Sequence, residues 1–330
     1  MPKKRINIKF VDFWNGFDPS DCIFMDVLSE HYDVHLCNDS ETADYVIHSV
    51  YGSGILKEGG VKIFYSGEVE EPNFNISDYA VSYSKCSYGD RNFYLRNHYF
   101  NETYKKRTLL AEKKNLGIID IESLNKTDFC SFVVSNGRGD NKRRLMFEAL
   151  NRYKQVNSGG RYLNNIGGPV DDKIKFESRH KFSICFENCS YPGYTTEKLV
   201  EAFAAQTIPI YWGNPEVFRV FNKRAFINIM DFPSIESVVE RVIEIDNDDN
   251  LYLDLLREPI WVSDMDNFEN TRLRFSSWLC NIVNQPFEKA YRVPTGYWND
   301  HYLWKLRDMQ YAYEHPYKSY LKQMLRKIYR

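Results

Sequence analysis

The segment 186–217, FENCSYPGYTTEKLVEAFAAQTIPIYWGNPEV, constrains the fold of this chain more than any other feature. Thr195 and Thr196 are residue types favoured at helix N-caps, and Glu197 would place negative charge in the first helical turn. Apolar residues then recur at helical spacing, and a second apolar run, 207–212, is typical of a short buried strand. The segment therefore predicts a polar loop, a helix and a strand in close succession.

The apolar run 182–186 before this loop predicts another buried strand. A helix that begins after the loop would place its N-terminus beside Tyr194, Glu197 and Lys198. The free backbone N–H groups and the helix dipole attract phosphate at such a point, and Lys198 adds a full positive charge. The sequence therefore predicts an anion site at the end of a buried strand.

The pattern FEN, then YTTEK and, after a helix, IPIYWG is similar to the donor-binding signature of the α1,3/α1,4-fucosyltransferases of glycosyltransferase family 10. The similarity is greatest to the bacterial members, and a weaker likeness extends from Ile6 to about Phe287. Several uncommon residues stand at fixed spacing, which makes the motif specific.

This resemblance implies an α/β, GT-B fold with two Rossmann-like domains facing a central cleft and a C-terminal amphipathic helical tail. It also implies inverting transfer of L-fucose from GDP-fucose to the 3-OH of GlcNAc in a LacNAc-type, Lewis x-like glycan. An α1,4 linkage or another acceptor on the same fold, and a glycan-binding protein without catalysis, are the alternatives.

The pattern along the chain also predicts α/β domains, because short apolar runs alternate with helical and loop segments. The predicted strands include 6–11, 44–48, 61–65 and 129–134, and predicted helices cover 142–153 and 235–245. We expect an acceptor-binding domain over 1–125, a GDP-fucose-binding domain over 126–290 and a helical, basic-aromatic tail over 291–330. Ligands of such folds bind outside the carboxyl ends of the strands.

The stretch 66–75 follows a predicted strand and supplies the candidates for the general base that takes the acceptor proton. It resembles the GENESPNFN-like segment of the family, in which an acid has that role. Glu68 aligns with the first acid and Glu70 with the second. Glu68 is favoured because it directly follows the strand and Gly67, while a solvated acidic loop is the alternative for both.

Lys198 and Arg143 are the candidates that would stabilise the departing diphosphate. The family has an arginine four residues before an aromatic residue, and Arg143 precedes Phe147 at that spacing. An arginine gives permanent, bidentate contact to a diphosphate. The alternative for Arg143 is a position on a solvated helix face.

The resemblance places Glu197 at the fucose, where it would bind hydroxyls or stabilise positive charge on the ring. Its alternative is a first-turn residue worth ~0.3–1 kcal/mol through the helix dipole. Glu187, Asn188 and Tyr194 are expected to contact the donor or to shape its loop. Trp14 and Asn15 are the predicted acceptor-binding residues, and acceptor specificity is expected in the loops 12–19 and 83–98.

Two Asp-x-Asp triplets, 246–248 and 264–266, have the letters of a glycosyltransferase metal site. The helical spacing of 235–245 indicates that the first triplet is a helix end. Because lysine and arginine are available for the diphosphate, we predict no metal and no other cofactor.

Composition excludes some partners. The net charge of -2 gives no general attraction to nucleic acid, so no nucleic-acid partner is expected. Seven cysteines without a CxxC pair fit reduced thiols in the cytoplasm. The segment 316–330 has no acid and a basic residue at every fourth position from Lys318. It predicts an amphipathic helix that contacts either the inner face of a bacterial membrane or the core of the protein itself.

Overall fold

The computed structural model describes residues 2–112, 124–262 and 268–318. The chain forms two compact units. The first unit consists of Met1–Ser82, Cys86–Tyr94 and Phe275–Arg330, and the second of Tyr83–Lys85 and Leu95–Arg274. Each unit combines segments that are separated in the sequence. The domain boundaries near 125 and 290 remain predictions.

The first unit contains a six-stranded sheet, in which every neighbouring pair is parallel. The strands are β1 Arg5–Val11, β2 Asp33–Leu36, β3 Tyr45–His48, β4 Val61–Tyr65, β5 Tyr79–Ser82 and β6 Asn92–Tyr94. Their spatial order is β2-β1-β3-β4-β5-β6. The predicted strands 6–11, 44–48 and 61–65 are confirmed as β1, β3 and β4, since alternating or continuous apolar runs mark strands with buried faces.

The helices of the first unit include α1, which follows β1, and three at the C-terminal side of the chain. Their bounds are α1 Ile23–His31, α8 Phe268–Asn284, α9 Phe287–Ala290 and α10 Tyr297–Glu314, with a 3-10 helix at Gly54–Lys57. The helix α8 begins in the part of the chain that belongs to the second unit and ends in the first.

The helix α10 is attached to the first unit by apolar and polar contacts. Leu303 and Leu306 pack against a buried cluster that includes Ile55 and Leu56. The guanidinium of Arg307 donates two hydrogen bonds to the carbonyl oxygen of Leu56, at 2.9 and 2.7 Å. These contacts place the middle turns of α10 over the 3-10 helix that follows β3.

The second unit contains a five-stranded parallel sheet in the order β11-β10-β9-β7-β8. The strands are β7 Asp128–Phe132, β8 Val156–Ser158, β9 His180–Phe186, β10 Ile208–Trp212 and β11 Ile227–Asn228. The helices are α2 Glu102–Glu112, α3 Lys142–Asn151, α4 Lys173–Glu177, α5 Glu197–Ala204, α6 Ile235–Asp246 and α7 Asp249–Arg257. The predicted order of loop, helix α5 and strand β10 is confirmed.

The register of β9 and β10 positions the loop 187–196. Phe186 lies opposite Trp212, so both strands end at the same level of the sheet. Both strands consist largely of buried residues, as expected for central strands of a parallel sheet. The residues that follow them, Glu187 and Gly213, therefore meet at one carboxyl edge.

Among the described residues, no helix is long and apolar enough to cross a bilayer. The tail predicted over 316–330 lies outside the described residues from 319 onward. Its amphipathic helix and its contact with a membrane remain predictions.

Candidate active site

Glu187 lies at the centre of the polar cluster in the second unit, and its side chain is fully buried. Its carboxylate accepts hydrogen bonds from the backbone N–H and the hydroxyl of Thr196, both at 2.7 Å, and from Lys198 Nζ at 3.2 Å. A Cβ on Gly213 would overlap the Glu187 side chain, so the residue after β10 must be glycine. Glu187 thus holds the start of α5 and Lys198; direct contact of Glu187 with a donor remains a prediction.

Lys198 contacts three oxygen atoms at the N-terminus of α5. Its Nζ lies 2.9 Å from Thr196 Oγ1, 3.2 Å from Glu187 Oε2 and 3.5 Å from Glu197 Oε1. Burial opposes the ammonium form, but the carboxylates of Glu187 and Glu197 outweigh it and raise the pKa of Lys198 above its usual value. The side chain is 16% exposed, so the ammonium is held within the cluster and stays charged.

The helix α5 begins as the sequence predicts, with Thr196 at its N-cap. Its hydroxyl donates to Glu187 and accepts from Lys198 Nζ instead of accepting from a backbone N–H of the first turn, so the cap serves the buried ion pair. Glu197 is the first helical residue and is 26% exposed. Burial opposes its negative charge, yet Lys198 and Lys173 hold the pKa of Glu197 far below its usual value, so this carboxylate stays ionised.

Arg143 is buried in α3 rather than on a solvated helix face. Its guanidinium donates to the Phe186 carbonyl at 3.2 and 2.8 Å, to Asn188 Oδ1 at 2.7 Å and to the Asn136 carbonyl at 3.3 Å. Among the described residues, these bonds account for four of the five N–H groups of the guanidinium. Burial lowers the pKa of Arg143, and Glu187 opposes that shift. Arg143 therefore ties the end of β9 to the loop after β7.

Asn214, which the sequence analysis did not single out, fixes the loop that precedes α5. Its Oδ1 accepts from the Gly193 N–H at 2.8 Å, and its Nδ2 donates to Thr195 Oγ1 at 3.1 Å. Tyr194 is buried in the same loop and packs edge-on against Tyr83, with ring centroids 5.4 Å apart. The signal for Asn214 was its place directly after Gly213 at the end of a predicted strand.

A second layer of charges lies behind α5, and sequence reasoning also missed it. Lys173 Nζ pairs with Glu201 at 2.7 Å and lies 3.7 Å from Glu177. Arg107 of α2 also pairs with Glu201. Lys173 and Glu177 stand at i,i+4 spacing in α4, but Arg107 and Glu201 lie far from them in sequence, and no spacing pattern links the three segments.

In the first unit, Glu68 is exposed and is the third residue after β4. Its backbone N–H donates to Ser66 Oγ at 3.0 Å, and its carboxylate accepts from the Tyr51 hydroxyl at 3.3 Å. The Tyr51 ring contacts Trp14 edge-on at 6.1 Å. The structure therefore brings Trp14 and Glu68 together through Tyr51, a residue that the sequence analysis missed.

Glu70 and Asn15 are exposed on the same unit. The Glu70 backbone N–H donates to the Glu68 carbonyl at 2.8 Å, which closes a tight turn between the two acids. The choice between Glu68 and Glu70 as base remains open on position alone. The hydrogen bond from Tyr51 is the feature that distinguishes Glu68.

The predicted helix end at Asp246 is confirmed, since this residue is the last of α6. Its carboxylate pairs with Lys154 at 2.5 Å and with Lys181 at 2.9 Å, so it stabilises two lysines. The triplet 264–266 lies outside the described residues. Among the described residues, one group has the ligand spacing for a metal ion: His35, Cys37 and Glu41, whose donor atoms lie within 4.8 Å of one another.

Comparisons with known proteins identify relatives for both units of the chain. Residues 123–293 match the model described as glycosyltransferase family 10 (fucosyltransferase) C-term. Residues 8–102 match the N-terminal domain of α-(1,3)-fucosyltransferase FucT. A crystal structure of an α1,3-fucosyltransferase with GDP-fucose superposes with a TM-score of 0.71 and 27% identity, over 87% of this chain and 93% of that chain. The predicted GT-B type of fold, with two parallel α/β units, is confirmed at this level.

Among curated proteins, the α-(1,3)-fucosyltransferase FucT of Helicobacter pylori is 34% identical over 262 residues, which is 70% of this chain and 55% of the relative. The human 3-galactosyl-N-acetylglucosaminide 4-α-L-fucosyltransferase FUT3 is 31% identical over 135 residues, 40% of this chain and 37% of the relative. The chain thus spans about half the length, or less, of these curated relatives.

Proposed function

This chain belongs to glycosyltransferase family 10, and from that premise we propose that it transfers L-fucose from GDP-fucose to a glycan hydroxyl. The observation that supports this most is the cluster of Arg143, Glu187, Glu197 and Lys198 at the carboxyl edge of the second sheet. A helix N-terminus, a lysine and an arginine converge there, which is the chemistry that holds a diphosphate.

On the donor side, Lys198 would neutralise the charge that develops on the diphosphate as the bond to the fucose breaks. The remaining N–H of Arg143 would add a hydrogen bond to the same group. Glu197, held ionised by its lysine neighbours, would stabilise positive charge on the fucose ring. A permanently charged lysine and arginine supply the charge that a metal ion would otherwise provide, so we propose that no metal is required.

On the acceptor side, we propose Glu68 as the general base. The acceptor oxygen attacks C1 of fucose from the face opposite the diphosphate, the C1–O bond to GDP breaks, and Glu68 takes the acceptor proton. The result is inversion at C1. The hydrogen bond from Tyr51 orients the Glu68 carboxylate, and Trp14 beside Tyr51 offers an aromatic surface to a sugar.

For the acceptor, we propose the 3-OH of GlcNAc in a LacNAc-type glycan. The relatives include a protein named for α-(1,3) transfer and one named for 4-α transfer. Crystal structures of an α1,3-fucosyltransferase superpose over 87–89% of this chain, which favours the first linkage.

The test is GDP release from GDP-fucose with N-acetyllactosamine, its type 1 isomer and lactose, each with and without EDTA. Acceptor-dependent turnover that EDTA leaves unchanged supports the proposal, and the preferred isomer fixes the linkage. Glu68→Gln should lower kcat by ~10²–10⁴ if Glu68 is the base, and a loss of that size in Glu70→Gln instead would assign the base to Glu70. Failure to bind GDP-fucose would refute the donor site, and glycan binding without turnover would indicate a non-catalytic protein.

A further inference from the structure

A cavity of about 470 Å³ opens on the first unit between the ends of β3 and β4 and the C-terminal turns of α10. Its volume lies within the ~300–1,000 Å³ of small-molecule sites. We call it the α10 cavity. Its polar and aromatic lining comes from three segments: His48, Ser49 and Ser53; Glu70, Glu71, Asn73 and Ser77; and Gln310 and Tyr313.

Part of this lining is buried and polar. Ser49 is 4% exposed, and its hydroxyl has no hydrogen-bond partner among the described residues. His48 beside it is 5% exposed, and its Nε2 lies 2.7 Å from Ser77 Oγ. Burial lowers the pKa of His48 to about 4, so the ring is neutral at pH 7. An unpaired buried hydroxyl costs free energy unless a ligand or water satisfies it.

The charge of the lining selects the kind of ligand. Glu70 and Glu71 contribute two carboxylates, and the described lining contains no lysine or arginine. An anionic ligand would therefore be repelled. Hydroxyl groups, in contrast, can donate to the carboxylates, while the Tyr313 ring, which is 83% exposed, offers an apolar face. A neutral, hydroxyl-rich ligand such as a sugar fits this set.

Two of the three segments that line the cavity, the loops after β3 and β4, also carry the proposed base Glu68 and its partner Tyr51. Tyr51, which donates to Glu68, stands between the lining residues Val50 and Gly52. Glu68 itself lies on the loop that contributes Glu70 and Glu71. A sugar in the α10 cavity is therefore held by the same two loops that orient the base.

The wall formed by α10 is separate from the parts that the family models describe. Those models match 8–102 and 123–293, and α10 begins at Tyr297. The helix is nevertheless fixed on the unit by the bonds from Arg307 to Leu56 and by the bond from Asn73 Nδ2 to the Tyr302 hydroxyl, at 2.8 Å. Since Asn73 also lines the cavity, α10 and the base loop are joined at the site.

We propose that the α10 cavity binds the sugar unit next to the one that receives fucose, and that Gln310 and Tyr313 select it. The inference rests on the proposed function and deepens it. Of the residues that line the cavity, Gln310 and Tyr313 belong to a helix beyond the matched family segments, and we assign the selection of the second sugar to these two.

The test compares two acceptors, N-acetyllactosamine and the monosaccharide N-acetylglucosamine, with the full-length wild type and with Tyr313→Ala. Loss of a stacking or hydrogen-bonding contact should raise the KM for the disaccharide by ~3- to 10-fold. The KM for the monosaccharide and the KM for GDP-fucose should stay unchanged. Tyr311→Ala is the matched control, since Tyr311 is an exposed tyrosine of α10 that does not line the cavity.

An equal change for both acceptors, or no change for either, would overturn the proposal. If the wild type does not turn over GDP-fucose, the proposed function fails. Glycan binding in the absence of donor then tests, independently of turnover, whether the α10 cavity is a sugar site. Saturation-transfer NMR with N-acetyllactosamine should give a signal that Tyr313→Ala weakens and Tyr311→Ala keeps. Equal signals from wild type and Tyr313→Ala, or no signal from wild type, would refute the site.

Discussion

The substitution Glu187→Gln tests whether one buried carboxylate organises the donor cluster. It keeps the shape of the side chain but replaces one carboxylate oxygen by an NH₂ group. Both oxygens of Glu187 face donors: the Thr196 N–H on one side, and the Thr196 hydroxyl and Lys198 Nζ on the other. A hydroxyl can turn to accept a bond, but an N–H and an ammonium cannot. The amide must therefore point its NH₂ group at one of these two donors.

The magnitude follows from the burial of this pair. Removing one partner of a buried ion pair costs ~3–5 kcal/mol. Lys198 is 16% exposed and keeps Glu197 at 3.5 Å, so part of its charge remains compensated. We therefore expect the free energy of unfolding to fall by about 2–3 kcal/mol. With a urea dependence of ~1–3 kcal/mol per molar, the unfolding midpoint should fall by roughly 1 M.

The assay is urea unfolding of the wild type, Glu187→Gln, Lys198→Met and the double variant. Residues in direct contact should show a coupling energy of ~0.5–3 kcal/mol in this cycle. Glu148→Gln is the matched control, because Glu148 forms an exposed i,i+4 pair with Arg144 in the same unit, worth only ~0.2–0.5 kcal/mol. If Glu187→Gln costs no more than Glu148→Gln, or if the coupling is zero, the assigned role of Glu187 is wrong.

Three further predictions concern the same unit. Arg143→Lys should lower the free energy of unfolding by about 2 kcal/mol or more, because a lysine cannot replace the forked bonds to Phe186 and Asn188. It should also weaken GDP binding in calorimetric titration. A variant with unchanged stability and unchanged GDP affinity would contradict this prediction. Burial raises the pKa of Glu177 to about 7, whereas its pKa in an unfolded chain is ~4.3. The folded state therefore binds the Glu177 proton more tightly than the unfolded state. The stability that this proton contributes is complete below pH ~4.3 and is lost as pH rises through 7. Glu177→Gln should flatten that decline in urea unfolding between about pH 5 and 8, and an unaltered slope would disprove the assignment. Gly160→Ala should cost ~1–3 kcal/mol in thermal unfolding, since its Cβ would overlap the Val134 backbone, while Gly59→Ala, with nothing within 4 Å, should be neutral.

The sequence predicts the parts of the fold that have strong local patterns. Strands β1, β4, β9 and β10 and the start of α5 follow from apolar runs and a threonine N-cap, and the structure confirms them. The prediction missed short strands such as β6 and β8, which have only three residues each. Their pairing with neighbouring strands, rather than any local propensity, makes them strands.

The same distinction applies to the site. Residues within one motif, such as Glu187, Thr196 and Lys198, could be grouped from spacing alone because the loop returns to the strand end from which it starts. Tyr51 and Glu68 come from different strand ends that parallel topology brings together, and no spacing pattern connects them. Sequence patterns therefore locate a site by its longest motif and leave out partners that only the sheet order supplies.

Burial changes the predicted role of Arg143. Spacing singled out Arg143 as a ligand for the diphosphate, with a solvated helix face as the alternative. The structure shows neither a free cation nor a solvated one: four of its hydrogen bonds go to protein acceptors around the end of β9. A residue held in this way has little freedom to move toward a ligand, so its position is set before the donor arrives. Lys198, held by Glu187 and Glu197, is fixed by the same means. Because charges fixed in advance need no reorganisation when the diphosphate departs, the buried contacts that appear structural are themselves a condition of the proposed catalysis.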